Sequence, residues 1–209
     1  MDKQKAKIVI ETLKKQYPNA QTALQYNSEY QLLVAVMLSA QCTDERVNKV
    51  TKILFERCPT PSDMLTLSFE ELASIIKPCG LFNSKAKHIL QASKDIVEKH
   101  NGQVPKTLSE LTMLSGVGRK TANVVLSNAF NVPSIAVDTH VFRVSNRLGL
   151  ASSDNVLEVE MQLRKEIIKS RWSKTHHLLI FHGRYCCTAQ RPKCAECRLK
   201  EYCMYYKNR

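Results

Sequence analysis

Leu114-Ser115-Gly116-Val117-Gly118-Arg119-Lys120 is the stretch on which the reading of the fold turns. Ahead of it, Thr107-Leu108-Ser109-Glu110 has the Thr-x-x-Glu spacing of a capping box, which opens a helix. Behind it, Thr121-Ala122-Asn123-Val124-Val125-Leu126 places apolar residues at helical spacing. The segment therefore reads as helix, tight turn, helix. Two glycines one residue apart let the backbone turn sharply and approach another molecule closely. Val117, between them, is expected to point inward and pack the two helices together. Amide N–H groups in such a turn, at the mouth of a helix, suit a phosphate oxygen. An ordinary helix–helix turn uses the same Gly-x-Gly, so the glycines alone leave both readings open. Arg119 and Lys120 directly after them favour the phosphate.

Working outward, nearly everything else also reads as helix. Ser68-Phe69-Glu70-Glu71 is a second capping box. Helical spacing recurs in Val47, Val50, Leu54, in Ile89, Ile96, Val97, and in Val156, Val159, Leu163, Ile167, for which Asp154 is the expected cap. Breakers at Pro18, Pro59-Thr60-Pro61, Pro78-Cys79-Gly80, Pro105, Pro133 and Gly149 divide the chain into about ten short helices. The fold class is all-α.

The charge points to the partner. Thirty-one Lys and Arg against 19 Asp and Glu give a net charge of +12. That excess favours a polyanion, because neutralising phosphates releases condensed counterions. Solubility alone asks for only about 2–8 charges. The longest apolar stretches, such as residues 32–38, fall well short of the ~20 residues of a membrane span. Met1-Asp2-Lys3-Gln4 carries no leader pattern, so a cytoplasmic setting and no membrane partner are expected.

The eight cysteines are unevenly placed. Cys42, Cys58 and Cys79 sit in apolar helical sequence and read as buried thiols. Cys187, Cys194, Cys197 and Cys203 follow the pattern C-x6-C-x2-C-x5-C, with Cys186 a bystander. Four thiolates so spaced suit either a [4Fe–4S] cluster or a zinc ion, although zinc modules more often use two Cys-x-x-Cys knuckles. Either would tie down a segment with little apolar core of its own. Arg191 and Lys193, held out on the pinned loop between the first two ligands, would grip phosphates or stay solvated.

Residues 114–125, followed by Val-Asp-Thr-His-Val-Phe-Arg-Val at 137–144, resemble the helix-hairpin-helix glycosylase superfamily over essentially the whole chain. Within it the chain is similar to the endonuclease III family, whose cysteine pattern it shares. One departure is Ser115 where that family usually carries Pro, which leaves the turn less rigid.

The resemblance implies a two-lobed fold with the active-site cleft between the lobes. Residues 22–132 would form a helical bundle ending in the hairpin, and residues 1–21 with 133–209 the cluster lobe. It makes the metal group a [4Fe–4S] cluster on Cys187, Cys194, Cys197 and Cys203. Lys120 becomes the nucleophile and Asp138, just ahead of a helical run, its carboxylate partner. The chemistry asks for these types. Breaking an N-glycosidic bond leaves an electron-poor C1′, which an amine attacks to form a Schiff base. The iminium acidifies the 2′ proton, and elimination then cuts the strand. Attack needs the free amine, which Arg119, the helix N-terminus and partial burial of Lys120 would favour. On residue type alone, Lys120 would be a phosphate contact and Asp138 an N-cap.

Gly116, Val117, Gly118 and Arg119 would hold the DNA backbone, and His140 and Arg143 would line the pocket or contact phosphate. Gln41 and Leu81 would be wedges that fill the gap left by an extruded base, and Asp44 a helix cap. The implied substrate is damaged double-stranded DNA with oxidised or ring-saturated pyrimidines, bound by a monomer, on the nucleoid when engaged. Two rivals remain at this point. An adenine-excising relative would lack the hairpin lysine and carry a further carboxy-terminal domain. A non-catalytic iron–sulfur DNA-binding protein would lack both Lys120 and Asp138.

Overall fold

The computed structural model describes residues 3–208; Met1 and Asp2, part of the stretch read for a leader, lie outside them with Arg209. Among the described residues there are twelve α-helices, three short 3-10 turns and no strand. In chain order the helices are α1 (Lys3–Gln16), α2 (Glu29–Leu38), α3 (Asp44–Arg57), α4 (Pro61–Met64), α5 (Phe69–Ile76), α6 (Phe82–His100), α7 (Leu108–Met113) and α8 (Arg119–Ala129). They continue with α9 (Thr139–Leu148), α10 (Val156–Glu166), α11 (Trp172–Tyr185) and α12 (Met204–Lys207). The chain forms two compact units, Ala23–Asn131 and Met1–Thr22 with Val132–Arg209.

In the continuous unit α2 is the axis. Every residue from Tyr30 to Leu38 is buried. A helix apolar all round needs neighbours on every side, and α3, α6 and α8 supply them. Ser28 starts α2 by accepting from the Gln31 N–H, while the Gln31 side chain accepts from the Asn27 N–H. Tyr30 and Ser93 hydroxyls meet at 2.6 Å, fixing α2 to α6. In the discontinuous unit α9 and α11 pair, α1 packs on α11, and α10 and α12 pack on α9. Val9, Leu13, Val141, Val144, Leu163 and Leu178 fill its core.

The caps test the sequence reading residue by residue. Ser68 and Glu71 form both bonds of a capping box. Thr107 accepts from the Glu110 N–H, but the Glu110 carboxylate turns to the Thr107 hydroxyl instead of its backbone. Asp154 does not cap α10; Asn155 does, accepting from the N–H groups of Leu157 and Glu158. Asp44 is likewise the first residue inside α3, and Thr43 caps it. The cap must be the last extended residue before the helix, and in each case it is the polar neighbour that holds that place. Val156, then, is exposed in the first turn of α10, and Cys42 is only half-buried. Among the described residues no helix is long and apolar enough to cross a membrane.

Candidate active site and cysteine pocket

The hairpin uses its two glycines differently. Gly116 has φ +75°, and a β-carbon there would lie 2.7 Å from His88 Cβ. Only glycine fits, for backbone and for space. Gly118 has an extended backbone, and a β-carbon on it would meet nothing within 4 Å. Val117 is buried in the core of the continuous unit, as expected. Ser115, which stands where a proline was expected, meets His88 Nδ1 on α6 through its hydroxyl at 2.9 Å, so a side-chain tie does the stiffening. Arg119 and Lys120 form the first turn of α8, which has no side-chain cap. Lys120 is exposed, not partly buried. The burial expectation fails because α8 turns its apolar face, with Ala122, Val125 and Leu126, to the core and leaves Lys120 on the other side.

Backbone strain marks other singled-out residues. Among the described residues five non-glycines have positive φ: Gln41, Leu81, Asn101, Asn131 and Arg191. Asparagine visits the left-handed region readily, whereas leucine, glutamine and arginine seldom do. Gln41 is exposed, and Leu81 is 56% exposed although it is a large apolar side chain. Arg191 and Lys193 are both exposed on a loop tied by the Lys193 N–H to the Cys186 carbonyl. Strain of this kind persists where the surrounding structure enforces it, and it clusters at functional sites.

Asp138 caps α9, one carboxylate oxygen accepting from the N–H groups of His140 at 2.9 Å and Val141 at 2.8 Å. His140 is half-buried, and burial pushes its imidazole below the ordinary value, with Arg143 and Arg184 adding to the effect against Asp138. Arg143 donates to the carbonyls of Gly183 and Cys187 and meets His140 Nδ1. That guanidinium holds α9 against α11 and the cysteine loop. One turn on, Arg147 donates to the Thr188 and Ala189 carbonyls and stacks over Tyr205 at 4.6 Å. Sequence reasoning passed over Arg147; its spacing of four from Arg143 on one helix face was the available signal.

Cys187, Cys194, Cys197 and Cys203 line one pocket together with Leu148, His182 and Cys186. Four thiols converging from loop and helix end are the donor set of an iron–sulfur cluster. Cys186 is more than a bystander in position: its sulfur, Cys197 Sγ and a His182 ring nitrogen lie within 4.8 Å of one another. Burial pushes its thiol upward, and the neighbouring cysteines add to the effect.

Residues 34–169 match the HhH-GPD superfamily of base excision DNA repair proteins. Residues 187–203 match the iron–sulfur binding domain of endonuclease III. The chain is 54% identical over 188 residues to endonuclease III of Bacillus subtilis strain 168, covering 90% of this chain and 86% of the relative. Against the Haemophilus influenzae enzyme of that name the identity is 49% over 205 residues, covering 98% and 97%. A solved structure of a trapped endonuclease III–DNA covalent intermediate superposes with TM-score 0.95 at 49% identity, covering 100% of this chain and 98% of that one. Fold and hairpin thus define a base excision repair protein of the helix-hairpin-helix class. The chain belongs to the endonuclease III family, and its cofactor is a [4Fe–4S] cluster.

Proposed function

We propose that this chain, a base excision DNA glycosylase and AP lyase, removes oxidised or ring-saturated pyrimidines from double-stranded DNA through a Schiff base on Lys120. The observation that carries the reading is the placement of Lys120, exposed in the first turn of an uncapped helix directly after Gly118. Its amine displaces the base from C1′, the base leaving with a proton; the amine loses a proton and the C1′–O4′ bond opens, O4′ taking a proton, to leave an iminium. The resulting iminium acidifies the 2′ hydrogen, and loss of that proton breaks the C3′–O bond, cutting the strand 3′ to the site. The covalent DNA intermediate trapped for endonuclease III, 49% identical to this chain, supports such a route.

Asp138 is the carboxylate partner, its geometry held by two backbone N–H groups. Its second oxygen serves positive charge at the sugar or shuttles protons. The backbone of Gly116 to Arg119 takes a phosphate, for which the open face of Gly118 leaves room. Arg191 and Lys193 take others. Gln41 and Leu81 fill the gap left by the extruded base. Lost aromaticity weakens stacking in ring-saturated pyrimidines and eases extrusion. Arg143 acts by holding α9 to α11 and the cysteine loop, given its carbonyl partners, and His140 packs beside it with its imidazole pushed below the ordinary value by burial. Cys187, Cys194, Cys197 and Cys203 hold the cluster, which supplies cross-links to a segment of loops and short turns. The chain works as a monomer in the cytoplasm, on the nucleoid when bound.

Borohydride trapping on a duplex carrying one thymine glycol tests this. The wild-type chain forms a covalent adduct and Lys120→Ala forms none. If the folded, cluster-loaded wild type gives no adduct, the chain is a monofunctional glycosylase or a non-catalytic DNA-binding protein.

A further inference from the structure

Lys85, in the first turn of α6, is only 6% exposed, and in sequence it passes for one more solvated lysine. Its Nζ donates to three main-chain carbonyls, those of Leu38 at 2.8 Å, Ala40 at 2.7 Å and Cys79 at 2.9 Å. An ammonium has three donors, so each is used. Leu38 ends α2, where a positive charge complements the helix carbonyls, and Cys79 ends the 3-10 turn Lys77–Cys79. Gln41 follows Ala40 directly, and Leu81 stands two residues after Cys79. The Lys85 backbone N–H itself donates to the Leu81 carbonyl at 3.0 Å. One residue therefore fastens both loops whose tips hold a strained, exposed side chain.

Fold stability alone does not explain that choice. A buried ammonium is expensive to desolvate, and an apolar side chain of similar length fills such a space at less cost. Burial does push the Lys85 ammonium below its ordinary value, and the nearby Cys79 and Cys42 oppose the shift. What an apolar residue cannot do is converge three carbonyls from two separate loops on one point.

We propose that Lys85 is a positioning residue for base extrusion, holding the Gln41 and Leu81 loops in register so that both side chains meet the duplex as a preset pair. The inference rests on the reading of Gln41 and Leu81 as wedges. It predicts a defect confined to substrates that must be unstacked.

The test compares Lys85→Met with wild type in single turnover on two substrates. One is a duplex with a thymine glycol; the other is a single strand with a preformed abasic site, which needs no extrusion. Duplex excision falls on the order of 10- to 100-fold, the scale of small misplacements at an active site, while cleavage of the single strand stays near wild type. Equal losses on both substrates would mean a general structural role and overturn the proposal, as would unchanged duplex excision. Lys85→Arg is read the same way should the methionine variant fail to fold, since a guanidinium keeps the charge but donates from three separate nitrogens in one plane and is too large to place them where a single ammonium meets all three carbonyls. A Gln41→Ala/Leu81→Ala chain is measured in parallel. If it excises as fast as wild type, the wedge reading itself is wrong, and the proposal falls with it. If it is slow, adding Lys85→Met produces no further loss; full additivity would place Lys85 in some other role and overturn the proposal alone.

Discussion

A β-carbon on Gly116 would stand 2.7 Å from Cβ of His88, so the hairpin turn and α6 meet with no room for even a methyl group. At Gly118, two residues on, nothing lies within 4 Å of the same added atom. One glycine is pressed against α6 and the other stands open.

Gly116→Ala is strained by its left-handed φ and by the clash, and should lose roughly 2–4 kcal/mol. Gly118→Ala should stay within about 1 kcal/mol of wild type in urea unfolding. Its methyl group nevertheless projects into the open space proposed for a phosphate, so its DNA affinity should drop. Anisotropy titration with duplex DNA reads the second effect. Wild-type affinity in Gly118→Ala would remove the hairpin amides from the DNA interface.

Asp138 has a structural task as the cap of α9 and a proposed chemical one, and substitution separates them. Asparagine caps helices as well as aspartate does, so Asp138→Asn should keep both N–H bonds and lie within about 0.5 kcal/mol of wild type. Asp138→Ala loses the cap and about 1 kcal/mol. Excision should slow roughly 10²-fold or more in both, on the scale of a lost acid–base group. Full activity in the asparagine variant would reduce Asp138 to a helix cap.

Arg191 combines a positive charge with a left-handed backbone. Arg191→Gly should raise stability by about 1 kcal/mol by relieving φ +49°. It should also flatten the plot of log affinity against log salt by about 0.9, one phosphate contact. Arg191→Ala should flatten the plot equally without gaining stability. An unchanged salt slope in both would mean that the loop does not touch DNA.

Acid should weaken the unit that holds α11. Burial, then the neighbouring His176 and Lys174, push the His177 imidazole down to about 3. The unfolded chain takes up that proton first as pH falls below the ordinary histidine value of about 6.5. Stability is therefore full above that value and is lost progressively as pH falls toward about 3. Between pH 7 and pH 5 the loss is about 2 kcal/mol. Urea midpoints for wild type and His177→Leu check it: the variant should show the shallower fall, and parallel curves would clear His177 of the effect.

How much of this was legible in the sequence depended on whether a signal was local. The Ser68 capping box and the four-cysteine spacing are patterns within one segment, and each needs no knowledge of the rest of the chain. Choosing between Asp154 and Asn155 was harder, because a polar run offers several caps and only the backbone conformation selects one. Lys85 was invisible for a different reason, and Arg147 showed only its spacing of four from Arg143. Their partners are main-chain carbonyls, which every residue has, so sequence carries no sign of which ones are met. The place of Lys120 just after the hairpin turn was legible but its exposure was not, since exposure depends on which way α8 faces.

Lys85 reaches the loops of Gln41 and Leu81, and His88, three residues later on the same helix, reaches the hairpin. Their separation is close to one helical repeat, which puts both on one side of α6. A single residue inserted between them would leave the helix continuous yet swing one side chain about 100° away from the other. Changes of chain length should consequently be harmful there and mild in the connection at residues 101–107, and a scan of one-residue insertions along the gene would map that interval as the spot where length, rather than composition, is held fixed.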